Sequence, residues 1–435
     1  MSKLSAHFQT RTPSAIRLAQ IEFLKRNDGV TAINTAIGNV SLPMHPVMQE
    51  RMFHLNAPES PFKNGVVKYT ETVGTKEARD AFLNIIKASG FETGGLHVQI
   101  TDGGSQAMEL VVIGCCGPAG TDKEPLLLID AAYTNYKSMA ERLGRGIVSV
   151  TRTFGENEKF TLPDENEIRK IVREHRPGAM VVIPYDNPTG HFCDHETMVM
   201  LGRICAENQL WMISDEAYRE LHYTDQKTSS VWGLTEAEVP GITGRRISIE
   251  SASKVWNGCG LRIGALVTDN KEFHEKAVAE NTASLCPNAI GQYIFGALAH
   301  EKAEALGKWF HDQREYYKKL MVEFTAELKK RLQGIMISSP DASIYSVVDV
   351  RKIAKPGFDA KDFVLYCARK GNVAVNGKPM TLLVSPMDGF YNPKPGEENP
   401  GKTQMRIAYV VPPDEMKLVP ELFADLFKEY EVNRR

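Results

Sequence analysis

A lysine stands directly behind an apolar run and among small residues in Ile247-Ser248-Ile249-Glu250-Ser251-Ala252-Ser253-Lys254. From the end of a buried strand such a side chain reaches into a cleft. Partial desolvation there disfavours the ammonium form, lowers the pKa and frees the amine to attack a carbonyl. Taken alone, a lysine at a strand end is more often a solvated loop residue. Upstream, Thr101-Asp102-Gly103-Gly104-Ser105-Gln106-Ala107 joins a strand-like run to a helical one. Glycines there let the backbone approach an anion, and the free N–H groups of a helix N-terminus bind phosphate. The plainer reading is a simple turn. Asp215, in Ser214-Asp215-Glu216-Ala217-Tyr218, suits a helix N-cap as well as a buried functional carboxylate. Arg406 sits inside the apolar run Gln404-Met405-Arg406-Ile407-Ala408. A buried arginine is costly unless an anion pairs with it, whether structural or bound.

Two other groupings are set aside. His191-Phe192-Cys193-Asp194-His195 offers metal-ligand types at close spacing, but no second ligand pair stands nearby in the chain. It reads as a polar loop or helix start, and no metal is expected. Gly258-Cys259-Gly260-Leu261-Arg262-Ile263-Gly264 has the wrong spacing for a dinucleotide loop and opens no βαβ unit.

Short apolar or β-branched runs predict strands at Val98–Thr101, Leu126–Asp130, Ile147–Val150, Ala179–Pro184, Trp211–Asp215, Ile247–Glu250 and Ala265–Thr268. Helical periodicity lies between most of them, at Gln106–Cys116, Thr134–Leu143, Glu165–His175 and Glu196–Asn208. That alternation predicts an α/β fold, with a mostly parallel sheet covered by helices on both faces. Ligands of such sheets sit beyond the carboxyl ends of the strands, where the residues above fall. After about Ile290 the pattern changes to a long helix, roughly Gln292–Leu332, and then to strands at Ile344–Val350, Val373–Val375 and Met405–Val411. The expected division is an N-terminal arm and part of the small domain over 1–45, a large domain over 46–300, and a connecting helix with the rest of a smaller α+β domain over 301–435. The segment Asp388–Lys402, rich in Pro, Gly, Asn and Glu, reads as a surface excursion or mobile flap.

Bulk properties narrow the class. The 435 residues carry a net charge of -2, so nothing in the overall electrostatics calls for a nucleic-acid or membrane partner. The 7 cysteines form no regular framework, as in a reducing, cytoplasmic setting. The first residues lack the apolar stretch of a signal peptide, and no apolar run is long enough to cross a bilayer.

The segment Ser251-Ala252-Ser253-Lys254 followed by Gly260-Leu261-Arg262-Ile263-Gly264 resembles the cofactor-lysine signature of the aminotransferase class I and II family. Asn187-Pro188-Thr189-Gly190 is similar to that family's N-P-T-G turn, and the other segments follow in the family's order. The resemblance implies a fold-type-I enzyme dependent on pyridoxal 5'-phosphate (PLP), with a seven-stranded type of sheet. It implies that Lys254 forms the Schiff base with PLP and moves the proton, with Asp215 holding a proton on the pyridine nitrogen. Asn187 and Tyr218 would face the cofactor's phenolic oxygen, and Tyr133 would stack on its ring. Gly104, Ser105, Gln106, Ser251 and Arg262 would surround its phosphate, and Ser253 would also contact the cofactor. Tyr69, in Tyr69-Thr70-Glu71-Thr72-Val73-Gly74, would reach the phosphate of a neighbouring subunit in a homodimer. On the substrate side the resemblance places Gly38, Asn39, Asn187 and Arg406, the last as a clamp on the α-carboxylate. Here the chain departs from the usual acidic residue and proline, reading Gly38-Asn39-Val40-Ser41-Leu42-Pro43. Transamination between an L-amino acid and a 2-oxo acid is the implied reaction. A β-eliminating lyase on the same scaffold is the alternative, and a non-catalytic PLP-binding regulator is the reading from another class.

Overall fold

The computed structural model describes residues 3–118 and 124–434, so the first two residues of the expected arm lie outside it. Its centre is a seven-stranded sheet. In chain order the strands are β1 (His97–Thr101), β2 (Leu126–Asp130), β3 (Ile147–Thr151), β4 (Ala179–Val182), β5 (Trp211–Asp215), β6 (Arg246–Ser251) and β7 (Gly264–Thr268). Across the sheet they run β1-β7-β6-β5-β4-β2-β3. The pairs from β6 to β3 are parallel, whereas β7 is antiparallel to both of its neighbours.

Side chains alternate between two faces, as the pleat requires. Leu127, Ile129, Met180, Val182 and Met212 pack into one core. Leu126, Leu128, Ala179, Val181 and Ile213 pack into the other. Helix Gly104–Cys116 covers the second face, and helices Glu165–His175 and His195–Glu207 cover the first. Burying each such aliphatic side chain stabilises the fold by roughly 1.5–3 kcal/mol. The helices begin where their caps stand. Asp164 accepts from Asn166 N at 2.8 Å and Asp194 from Thr197 N at 2.9 Å. The His191–His195 segment is therefore a helix start, with His195 paired to Glu238 at 2.8 Å.

The reversed direction of β7 positions the site. Gly264, its first residue, lies opposite both Thr101 and Ser251, the last residues of β1 and β6. Whatever precedes β7 is thereby delivered to the same edge at which the parallel strands end. A side chain on Gly264 would come within 2.5 Å of the Gly103 and Gly104 backbone, so the approach needs glycine.

Besides a two-stranded ribbon of Thr153–Phe154 with Phe160–Thr161, two smaller sheets stand apart from this one. Tyr345–Asp349, Gln404–Ala408, Met336–Ile337 and Ser385–Pro386 form one. Thr31–Asn34, Lys378–Leu383 and Val373–Val375 form the other, with Thr31–Asn34 parallel to Lys378–Leu383. The N-terminal region thus adds a strand to a sheet built mostly from the C-terminal part. Thr31-Ala32-Ile33-Asn34 carries too few apolar residues to stand out as a strand.

The long helix is shorter than expected. Helix Ala289–Gly296 and a 3-10 turn at Ala297–His300 precede the 29-residue helix Ala303–Arg331. The Asn84 amide donates to the Leu298 and Glu301 carbonyls where the 3-10 turn ends, each at 2.8 Å. Nor is Asp388–Lys402 a surface excursion throughout. Phe390 and Tyr391 are buried, and Asn392 donates its backbone N–H to Asp130 at 2.6 Å. Only its middle, residues 393–398, is exposed throughout. No helix among the described residues is long and apolar enough to cross a membrane.

Candidate active site

A cleft of about 970 Å³ lies between the carboxyl edge of the large sheet and the smaller sheets. Gly38, Asn39, Gly104, Ser105, Tyr133, Asn187, Asp215, Tyr218, Ser251, Ser253, Lys254, Arg262 and Arg406 all line it. Gln106 does not. Its side chain turns back to accept from Asp102 N at 2.7 Å and donate to Asn281 at 3.1 Å, which braces the turn. Tyr69 also lies elsewhere, 80% exposed beside a second cavity lined by Phe62, Val66 and Tyr293.

Lys254 follows the end of β6 and points across the cleft, where its Nζ donates to the Gly38 carbonyl. The fit is close: a methyl group on Gly38 would sit 3.0 Å from Nζ and would collide with the Tyr345 hydroxyl. Asp215 ends β5. Its carboxylate accepts from the Tyr136 hydroxyl and from Ala217 N at 3.1 Å. Burial raises its pKa, opposed by those two hydrogen bonds. Among the described residues no cation pairs with it, although a buried carboxylate favours one.

The opposite charge is stranded nearby. Arg262, in left-handed backbone just before β7, is held by the carbonyls of Cys259 at 3.0 Å and Asp102 at 3.4 Å, with no carboxylate among the described residues. It leans over Gly103, whose φ of +80° and bare α-carbon make room for the guanidinium. The helix that starts at Gly104 has no side-chain cap, and its first turn and Arg262 meet beside Ser251 in a corner whose chemistry suits an anion.

On the other wall Arg406 is nearly fully buried, again with no acidic partner among the described residues. Its Nη1 donates to Asn187 Oδ1 at 2.8 Å and its Nη2 to the Ala36 carbonyl at 2.7 Å. Its Nε has no hydrogen-bond partner. The guanidinium lies between the rings of Tyr345 and Phe390, at 4.3 and 5.2 Å. The Asn187 amide reaches the Tyr218 hydroxyl at 3.4 Å, and that hydroxyl lies 2.8 Å from Tyr345 Oη. Burial pushes the Tyr218 phenol up, so it stays protonated and can donate. Beneath the Asn187 turn, a buried ion pair joins Arg152 to Asp186 at 3.1 Å.

Tyr136, Tyr345, Phe390 and Arg17 are cleft or near-cleft residues that motif reading passes over. Tyr136 follows Tyr133 by three residues in Tyr133-Thr134-Asn135-Tyr136, and that helical spacing was the available signal. The others carry no local signal.

Comparison with known proteins gives the same direction. A family model described as aminotransferase class I and II matches residues 58–389. An aspartate aminotransferase of Musicola paradisiaca is 23% identical over 346 residues, covering 76% of this chain and 79% of that protein. An aspartate/prephenate aminotransferase of Thermus thermophilus is 24% identical over 360 residues, covering 81% and 86%. Among solved structures, an alanine aminotransferase from Pyrococcus furiosus shares the fold with a TM-score of 0.79, at 21% identity over 98% of this chain and 100% of that one.

Proposed function

Because the chain belongs to the aminotransferase class I and II family, it is a PLP-dependent transaminase of fold type I, and we propose that Lys254 is its cofactor lysine and proton carrier. The enzyme moves an amino group from an amino acid to a 2-oxo acid. Bound PLP supplies an electron-accepting ring for the electron pair released when a bond at the substrate Cα breaks.

The residues fit that group. Asp215 lacks a cation, and a protonated ring nitrogen is one. Arg262, Ser251 and the uncapped helix start at Gly104 and Ser105 lack an anion, and a phosphate is one. Asn187 and Tyr218 offer N–H and O–H donors to a phenolic oxygen, and Tyr133 offers a flat ring on the same wall. Arg406 holds the substrate carboxylate, and its unpaired Nε is a donor kept in reserve. Lys254 Nζ takes the proton from the substrate Cα and later returns one to complete the transfer. Gly38, whose carbonyl accepts from that amine, would hold it in the cleft once substrate has freed it.

A single observation carries the reading. A half-buried carboxylate without a cation, Asp215, and a buried guanidinium without an anion, Arg406, line the same cleft as the Lys254 amine. Aspartate is the first donor to try, since relatives bear its name. Arg17 on the same cleft has no ion-pair partner among the described residues and can meet a side-chain carboxylate. The test mixes the PLP-loaded enzyme with each amino acid in turn and follows the cofactor's absorbance. Conversion by aspartate or glutamate ahead of branched and aromatic acids is expected, and no conversion by any amino acid rejects the reading.

Three further assignments go with it. Tyr69, with exposed Val66 and Val67 beside it, docks on a second copy and reaches that copy's phosphate corner. The domains divide at about residues 45 and 300. The enzyme works in the cytoplasm, where thiols such as its free cysteines stay reduced.

A further inference from the structure

We propose that Tyr345 is a two-sided positioning residue, whose hydroxyl strengthens Tyr218 at the cofactor while its ring steadies Arg406 at the substrate carboxylate. The inference rests on the roles given above to Tyr218 and Arg406. It comes from a closed circuit of side chains. Tyr345 meets Tyr218 at 2.8 Å, Tyr218 meets Asn187 at 3.4 Å, and Asn187 meets Arg406 at 2.8 Å. Arg406 returns to Tyr345 by lying 4.3 Å from its ring centre. All four side chains are buried.

Register explains the last contact. In the antiparallel pair Tyr345–Asp349 with Gln404–Ala408, Val347 faces Arg406 directly. Tyr345 lies two residues away on the same face, at the diagonal position an aromatic ring can span. Phe390 supplies the second ring from the other side. The guanidinium is thus held flat, with its Nε–H still unpaired in the plane in which a guanidinium meets a carboxylate.

Hydrogen counting sets the direction of the other contact. A phenol has one hydrogen to donate. If Tyr218 gives its hydrogen to the cofactor's phenolic oxygen, the hydrogen between the two tyrosines belongs to Tyr345. A donor feeding into Tyr218 polarises its O–H bond and makes it a stronger donor in turn. The Gly38 α-carbon lies against Tyr345 Oη, and any side chain there would force the ring away. A donor at the phenolic oxygen stabilises that oxygen most once the proton shared beside it has left. The pH midpoint of the bound cofactor's absorbance is therefore held down by Tyr218, and further down by Tyr345.

The two halves separate in two variants of the PLP-loaded enzyme. Tyr345→Phe keeps the ring and loses the hydroxyl. Its absorbance midpoint should rise by roughly 0.3 to 0.6 pH unit, while the dissociation constant for succinate, a non-reacting carboxylate, stays within about twofold of the parent, as an intact cation–π contact predicts. Tyr345→Leu loses both, and its succinate affinity should fall about 5- to 20-fold. A midpoint in Tyr345→Phe that does not move overturns the hydroxyl's role. Equal loss of succinate binding in the Phe and Leu variants overturns the ring's role. Tyr218→Phe is the control and should move the midpoint further than Tyr345→Phe. If Tyr218→Phe moves it and Tyr345→Phe does not, this inference alone fails. If neither moves it, the assignment of Tyr218 fails as well. Tyr345→Phe fills the same space as tyrosine, so the hydroxyl test survives even if the Leu variant does not fold.

Discussion

One wall of the cleft takes its polar groups from the ends of neighbouring strands, and the other takes them from an antiparallel pair and a loop. On the first wall Gly104 and Ser105 follow β1, Asn187 follows β4, Asp215 ends β5, Ser251 ends β6 and Arg262 precedes β7. Each is fixed by its own strand. On the second wall Tyr345 and Arg406 stand on paired strands, Phe390 comes from the loop, and Gly38 follows the N-terminal strand. These groups hold one another. Apart from Asn187, which Arg406 binds from across the cleft, the first wall should therefore respond to substitution residue by residue, and the second as a unit. Lys254 joins them, since it is rooted beside β6 and bonded to the Gly38 carbonyl.

The largest effect should come from that junction. Lys254→Ala removes the nucleophile and the proton carrier together, and turnover should fall by at least about 10⁴-fold. The variant should still retain some PLP by its phosphate corner, which spectral titration of the dialysed protein can read. Full activity in Lys254→Ala would sink the assignment.

Next come the two unpaired arginines, one on each wall. Arg406→Gln should raise the KM for the amino acid and cut kcat/KM by roughly 10²-fold, since a buried carboxylate clamp is lost. Arg262→Gln should instead weaken retention of PLP by about tenfold, the scale of one charge-assisted hydrogen bond. The comparison sharpens in double mutants. Arg262→Gln combined with Tyr345→Phe should be additive within about 0.5 kcal/mol, because the two lie on different walls. Arg406→Gln with Tyr345→Leu should not be additive, because the ring and the guanidinium touch. Additivity in both pairs, measured by kcat/KM, would erase the distinction between the walls.

The same distinction decides what could be read from the chain alone. The first wall is made of groups within a few residues of a strand end, so apolar runs and short motifs locate it. Ser251, Lys254 and Arg262 lie within twelve positions of one another. The antiparallel direction of β7 was not legible, because direction depends on which edge the strand joins, yet the motif spanning β6 and β7 located both ends of that junction. The second wall depends on pairings between distant segments. Nothing near Tyr345 marks it as the partner of Tyr218, 127 residues away. Arg406 was conspicuous because charge inside an apolar strand is costly, whereas Tyr345 in the same sheet is an ordinary strand residue. The strand at Thr31–Asn34 was missed for a related reason, since its partner Lys378–Leu383 lies at the other end of the chain.

The smallest effect concerns the foundations of the first wall. His45 is buried edge-on against Trp309 at 4.9 Å and near Trp256 at 6.0 Å, and Trp256 follows Lys254 by two residues. Trp309 in turn donates to the Val255 carbonyl at 2.8 Å. Burial pulls the His45 pKa down from 6.5 to about 4. In the unfolded chain the imidazole takes up its proton near pH 6.5, and in the folded protein it does so only near pH 4. Between those values the unfolded state binds more protons, so stability must fall as the pH drops through that window. Replacing the imidazole by an amide that does not titrate removes this contribution. Between pH 6.5 and 4.5, the melting temperature of His45→Gln should therefore decline by about 2 to 4 °C less than that of the parent. The measurement is a pair of melting curves at each pH, and equal declines would show that His45 does not couple acid to the wall that carries Lys254.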